Sequence, residues 1–239
     1  MSGSLFGVSV IIPERNESHK VLDSLRVGLK EREAEVIIVD DGSDNSYPES
    51  IKHGVSFGYG ASILTGIKNA SNEIIVTMDG DGQHQVQDVL NLYQVWQMIE
   101  ADMIIGKRRI KNEIWYRYLG RKFLNWTASF ICLYWLNDLN SGFRIFKKGI
   151  AFGYRDILCQ SFSFTTCLTL SMICDRYRVE FFPIDVIHRK EGKSKVNVFK
   201  DGWITLFYIL KLGFALRTRG LRSVLRNLRC PKANLPPKN

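Results

Sequence analysis

The sequence predicts an α/β fold in which a mostly parallel sheet is flanked by helices, with amphipathic interfacial helices toward the C-terminus. Two observations carry this. Short β-branched runs alternate with segments of helical periodicity through the first half of the chain, which implies parallel pairing through crossover helices. Three of the runs end in acidic or glycine-rich turns. In open parallel sheets, ligands gather where such turns lie, at the carboxyl ends of the strands.

Taken in order, residues 8–12 read as a strand, and 14–30 as a helix through Val21, Leu22, Leu25 and Leu29. Residues 36–39 read as a second buried strand, closed by Asp40-Asp41-Gly42-Ser43. A helix at 61–70, a strand at 74–78, a helix at 86–99 and a short strand at 102–105, ending at Gly106, follow. The second half is less regular. An apolar segment, 123–136, reads as a buried core helix and leads into Asn137-Asp138-Leu139-Asn140-Ser141-Gly142-Phe143-Arg144. A helix at 166–176 and a strand at 179–187 precede a basic loop, 188–195.

A last apolar segment, 203–216, is interrupted by Lys211 and followed by Arg217, Arg219, Arg222 and Arg226. An apolar helix with a cationic flank suits an anionic membrane surface, so membrane contact is expected through 203–226. Neither apolar segment reaches the roughly 18 uninterrupted residues of a spanning helix. The chain is thus expected to divide into a main α/β unit (1–200), a membrane-proximal amphipathic segment (201–229) and a disordered proline- and lysine-rich tail (230–239).

A chain of 239 residues with a net charge of +9 and a pI of about 9.3 suits anionic partners. Its basic clusters lack interleaved stacking aromatics and no nucleic-acid module is recognisable, so phosphate and membrane lead over nucleic acid. Five scattered cysteines without C-x-x-C spacing argue against zinc and against a disulfide framework, and for a reducing compartment. The expected location is cytoplasmic, peripheral to the inner face of a membrane.

Chemistry concentrates first in Asp79-Gly80-Asp81-Gly82-Gln83-His84. Two carboxylates one residue apart at a strand end can chelate Mg²⁺ or Mn²⁺, hard cations that favour oxygen ligands. Such a cation bridges diphosphate oxygens and neutralises charge on a departing nucleotide. Gln83 adds an amide oxygen, and Gly80 lets phosphate approach the backbone. By itself, D-x-D is a common solvated turn. Asp40-Asp41-Gly42-Ser43 reads either as an Asx-turn or as a carboxylate for nucleoside hydroxyls or base donors.

What decides is the ordered set: V-S-V-I-I-P-x-x-N-E, V-D-D-G-S, G-Y-G-A, M-D-G-D-G-Q-H, G-x-R, N-S-G-F-R and R-x-x-G-x-S-K, spanning residues 8 to about 216. It resembles the family 2 glycosyltransferases, within the branch of dolichyl-phosphate mannosyltransferase and bacterial polyprenyl-phosphate glycosyltransferases. The resemblance implies a GT-A fold, a Rossmann-like nucleotide-binding half fused to an acceptor half. It implies a nucleotide-sugar donor and a polyprenyl-phosphate acceptor. By motif position, Pro13, Glu17, Val39 and Asp41 hold the nucleoside, with Gly80 against the donor. Asp79, Asp81 and Gln83 hold metal and diphosphate, and Arg108 the sugar or phosphate region. Arg117 or Arg121 matches the arginine preceding the acceptor-side helix. Arg144, Arg189, Ser194 and Lys195 meet phosphates of donor or acceptor.

Two departures qualify the resemblance. Only residues 44–57 separate D-D-G-S from Gly58-Tyr59-Gly60, where a complete crossover needs at least about 10 to 12 residues before its next strand. The segment also contains Pro48 and Gly54, so an abbreviated helix or strand and a more open nucleoside pocket are expected. The second departure is Phe162-Ser163-Phe164-Thr165-Thr166-Cys167, which has no carboxylate where many inverting GT-A enzymes place a base. A phosphate acceptor is already anionic and needs no base. An acceptor sugar hydroxyl, and a non-catalytic nucleotide-sugar binder, remain the alternatives. Cys167 has no neighbour that marks it as an activated nucleophile.

Overall fold

The structure is a computed structural model, and it describes residues 3–109, 115–185 and 198–217. The elements are β1 (Val8–Glu14), α1 (His19–Lys30), β2 (Glu35–Asp40), β3 (Ile51–Lys52), α2 (Tyr59–Asn69), β4 (Ile74–Thr77) and α3 (Val86–Met98). They continue with β5 (Met103–Arg109), α4 (Trp115–Cys132), β6 (Arg144–Lys147), α5 (Lys148–Gly153), α6 (Phe164–Cys174), β7 (Val179–Asp185) and α7 (Val198–Arg217).

Among the described residues one seven-stranded sheet runs in the order β3-β2-β1-β4-β6-β5-β7. Of these strands only β6 is antiparallel to its neighbours. Helices cover both faces, so β1 reads as a continuous apolar run while its residues still alternate between two cores. Val8, Val10 and Ile12 join Leu22, Leu25 and Leu29 of α1 and Val89 and Leu92 of α3. Ile11 joins Ile63 and Ile67 of α2 on the opposite face, in the core that extends to α4, α6 and α7. The chain moves outward from β1 through β2 to β3 and then returns to β1's other side as β4. That reversal opens a crevice at the carboxyl ends of β1 and β4.

The fold class is the one read from the sequence, with three local differences and the expected abbreviation of 44–57. The first helix begins at His19, five residues late, because Pro13 and Glu14 continue β1 and pair with Val39 and Asp40. Between β2 and α2 no helix forms, and the strand shrinks to the two residues of β3, as the short 44–57 segment requires. β5 does not stop at Gly106 but runs on to Arg109, because β7 pairs with it along its whole length. Residues 144–147, which the sequence reading assigned to no element, form β6, which wedges between β4 and β5 with Arg144 opposite Thr77.

Two further expectations change. α4 is not a simple core helix: Leu124 and Ala128 are buried, but Leu119, Phe123, Trp126 and Phe130 are exposed on one face at alternating four- and three-residue steps. The domain boundary at residue 200 falls inside α7, whose Ile209 and Leu212 belong to the same core as α4 and α6. Residues 218–239, with the expected tail and most of the downstream arginines, lie outside the described residues. No helix among the described residues is long and apolar enough to cross a membrane.

Candidate active site

The two acidic turns lie on the same edge of the sheet. At the β1–β2 end, Glu14 and Asp40 are paired across the strands and are both buried. Ser43 donates its amide and its hydroxyl to Asp40 Oδ1, while Asp40 Oδ2 is buried with no hydrogen-bond partner. Burial, and then the charge of Asp40, push the Glu14 carboxyl above its usual range. Asn16, in left-handed backbone (φ 51°), locks this loop to the next one: its amide donates to Ser43 Oγ and its side chain to Asp44.

Asp41 is used differently from its predicted role. Its Oδ1 bonds to His53 Nδ1 (3.0 Å) and accepts from the Phe57 amide (2.8 Å). Its Oδ2 accepts from Ser56 Oγ (2.7 Å) and the Gly58 amide (2.9 Å). Burial works against its ionisation, but these bonds outweigh it and hold its pKa below the ordinary aspartate value. Asp41 therefore clamps the abbreviated 53–58 segment onto the end of β2, and both its oxygens are taken by its own chain. Pro13 and Val39 sit in the buried strand ends beside it, and Glu17 stands at the rim, its amide 3.4 Å from Glu14 Oε2. Glu14, which the motif reading passed over, is a buried carboxylate at the end of β1.

At the end of β4, Asp79 and Asp81 are half-buried, with Gly80 between them. The Gln83 amide donates to Asp81 Oδ1 (3.0 Å), and Gln83 itself is partly exposed. Asp79 lies against Gly142, the residue before Phe143-Arg144, and Thr77 Oγ1 donates to the Gly142 carbonyl (2.6 Å). β6 thus brings the N-S-G-F-R turn to the donor edge. His84 is buried and stacks on Phe143, with centroids 4.5 Å apart and ring planes 14° apart. Burial pushes its pKa below the usual histidine value.

Arg144 is fully buried. Its guanidinium donates to the carbonyls of Leu139, Ser141 and Thr165 and to Thr169 Oγ1. Burial lowers its pKa to about 10, so it stays charged at neutral pH beneath Asp79 and Asp138, both of which favour that charge. The expectation that it meets a phosphate is corrected: with no exposed surface, it holds the 139–144 turn onto α6.

Arg108 donates Nε and a terminal nitrogen to the two oxygens of Asp138, each at 2.9 Å, a bidentate pair whose carboxylate is wholly buried. Burial opposes ionisation of Asp138, but Arg108, helped by the charge of Arg121, brings its pKa below the ordinary value. Arg108 also lies close enough to bear on Tyr59 and His84, so it is the cation of this side of the crevice. Of the two arginines offered by the sequence, Arg121 bears on Asp138 by its charge; the side chain of Arg117 and the residues Arg189, Ser194 and Lys195 lie outside the described set.

The donor set suits a hard divalent cation. Asp79 and Asp81 supply carboxylate oxygens, Gln83 an amide beside them, and the described residues contain no group of three or more His, Cys, Asp or Glu arranged to hold a metal alone. A cation here would share its coordination with substrate oxygens, as two carboxylates and a diphosphate allow. Cys167 is buried and burial drives its thiol up to about 12, which removes it as a nucleophile.

The family model for glycosyl transferase family 2 matches residues 9–162. The chain belongs to glycosyl transferase family 2. It is therefore a glycosyltransferase with the family's GT-A architecture. Among its relatives, the undecaprenyl-phosphate mannosyltransferase of Micrococcus luteus is 25% identical over 91% of this chain and 98% of the relative. The UDP-N-acetylglucosamine–dolichyl-phosphate N-acetylglucosaminyltransferase of Methanococcus voltae is 27% identical over 87% of this chain and 98% of the relative. The fold is shared with glucosyl-3-phosphoglycerate synthase from Mycobacterium tuberculosis, solved with Mn²⁺, UDP and phosphoglyceric acid. That match has a TM-score of 0.64 at 14% identity, over 87% of this chain and 78% of that one.

Proposed function

We propose that this glycosyltransferase moves a sugar from a nucleoside-diphosphate sugar to a polyprenyl phosphate presented at a membrane surface, with inversion at the anomeric carbon. The observation that carries this reading is the run 162–167, assigned to the acceptor wall, which contains no carboxylate to act as base. It leads into the first turn of α6, where Thr166 Oγ1 donates to Asn140. A phosphate monoester is largely dianionic at pH 7 and attacks without one. The relatives' named acceptors, undecaprenyl and dolichyl phosphate, support the same choice.

In this reading an acceptor phosphate oxygen forms the new bond to the anomeric carbon as the bond to the diphosphate oxygen breaks, its electron pair leaving with the nucleoside diphosphate. Asp79, Asp81 and Gln83 would hold Mg²⁺ or Mn²⁺, which, when bound, neutralises charge on that diphosphate. Arg108, oriented by Asp138, adds a fixed positive charge beside it. Arg189, Ser194 and Lys195 are assigned to the acceptor phosphate on their sequence alone.

Membrane contact extends beyond the segment first expected. Trp203 and Phe207 of α7 are 71% and 59% exposed, and Trp126 and Phe130 of the adjacent α4 are 62% and 66% exposed. Lys122 and Lys211 lie over aromatic rings of the same helices. Aromatic faces edged by cations suit the interface of an anionic bilayer. A groove of about 610 Å³ between α7 and residues 159–161, lined by Phe57, Trp203 and Phe207, is where the lipid's apolar chain enters.

The test is radiolabel transfer from a panel of nucleotide sugars, with Mn²⁺, into polyprenyl phosphate and into sugar acceptors. Label in the lipid is expected; label only in sugar acceptors favours a hydroxyl acceptor, and donor binding without turnover on any acceptor favours a non-catalytic binder. Trp126→Ser with Phe207→Ser is expected to reduce co-sedimentation with phosphatidylglycerol vesicles by about tenfold, leaving donor binding intact.

A further inference from the structure

The glycines flanking Tyr59 decide where its ring goes. Gly58 has a φ of 102°, and a Cβ on Gly60 would lie 2.3 Å from the carbonyl oxygen of Cys159. Only glycine lets the first turn of α2 press so closely on residues 159–161, where the Ala61 amide donates to the Gln160 carbonyl (3.1 Å). The approach turns Tyr59 into the crevice. Its ring stacks on Phe162, with centroids 5.7 Å apart and planes 17° apart. Its hydroxyl is buried without a hydrogen-bond partner.

A third glycine shows what that hydroxyl faces. A Cβ on Gly142 would lie 2.5 Å from Tyr59 Oη and 2.9 Å from Asp79 Oδ1, so the two oxygens share the space that a side chain would fill. The phenol is a hydrogen-bond donor at neutral pH and the Asp79 carboxylate beside it is an acceptor, so the hydroxyl can hold in one orientation a carboxylate that the donor site needs.

We propose that Tyr59 is a positioning residue: its hydroxyl donates to Asp79 when the donor diphosphate and cation are bound, fixing which carboxylate oxygen faces the cation. The stack on Phe162 joins that choice to the acceptor wall. This rests on the reading of Asp79 as a metal carboxylate. Partners that orient ligating carboxylates typically carry 10- to 100-fold in metal affinity.

Tyr59→Phe keeps the stacked ring and removes only the oxygen. In the full chain, Mn²⁺ is titrated in the presence of UDP or GDP and followed by the electron paramagnetic resonance signal of free Mn²⁺, alongside thermal melts without metal. The expected result is roughly tenfold weaker Mn²⁺ binding with an unchanged metal-free melting temperature. Gly142→Ala, which drives the two oxygens apart, is expected to weaken Mn²⁺ binding likewise. Unchanged Mn²⁺ affinity in Tyr59→Phe overturns the proposal, and a fall in its metal-free melting temperature that accounts for the loss replaces it with a purely structural role. If the unaltered chain binds no Mn²⁺ with either nucleotide, the metal-site reading fails as well.

Discussion

The acidic turns at residues 40–44 and 79–83 look alike as sequence, yet they serve different masters. In the first, Asp41 spends both oxygens on four donors from residues 53–58 and becomes part of the frame. In the second, Asp79 and Asp81 stay half-buried at the end of a strand, Asp79 beside Gly142 and Asp81 accepting from the Gln83 amide. The cause is chain length. With only residues 44–57 between β2 and α2, the short β3 connection has no helix to hold it, and a strand-end carboxylate takes over that task. The difference teaches that a strand-end carboxylate sealed among donors of its own chain serves the frame, whereas a half-buried one keeps contact with solvent.

Substitutions can break this comparison or sharpen it. The largest effect is expected from Asp79→Asn or Asp81→Asn: metal-dependent transfer falls on the order of 100-fold or more, because charge stabilisation of the leaving group is lost. Thermal melts should barely move, since both side chains are partly exposed. Asp41→Ala should do the reverse at the level of the fold. It strands His53, Ser56 and two amides, at a cost of about 3 kcal/mol. That corresponds to roughly 6–12 °C in melting temperature for a chain of this size. If Asp41→Ala melts normally and loses only donor binding, the two turns are alike after all.

The same logic reaches the Arg108–Asp138 pair. Asp138→Asn leaves a partly desolvated guanidinium and should cost about 2–3 kcal/mol in denaturant unfolding. The folded pKa of Asp138 is depressed, so its stabilisation is present above the unfolded value near 4 and is lost as pH falls through the folded value. The cost of Asp138→Asn should therefore shrink below about pH 4. Glu14 gives the smallest effect, with the opposite sign. Its folded pKa is raised above 4.5, so folding favours its protonated form and a penalty sets in as pH rises through that range. Glu14→Gln should therefore raise stability at pH 7 by about 1 kcal/mol, the gain vanishing in acid. A Glu14→Gln chain that is less stable at pH 7 would show that the carboxylate is held by favourable contacts instead.

Much of this was legible before any coordinates. Runs such as 8–12 and 74–78 are buried on both faces of a parallel sheet, so each strand announces itself without reference to its neighbours. The short 44–57 connection followed from counting residues. β6 was not legible, because four residues carry no period and its pairing partners lie 65 or more positions back along β4 and about 40 back along β5. The fate of α4 was equally hidden. Apolar content says that a helix wants burial, and only the width of the groove that receives it decides how many of its faces are covered.

The sequence by itself determined the alternation of strands and helices, the family, and the carboxylates at the ends of β2 and β4. These depend on local composition and on order along the chain. The tertiary structure alone decided which of those groups are committed. It buried Arg144 under the 139–144 turn, tied Asp41 to residues 53–58, set Arg108 on Asp138, and placed Tyr59 beside Asp79. Commitment of a polar group is a matter of which donors and acceptors lie within about 3 Å of it. For these residues the partners come largely from segments remote in the chain.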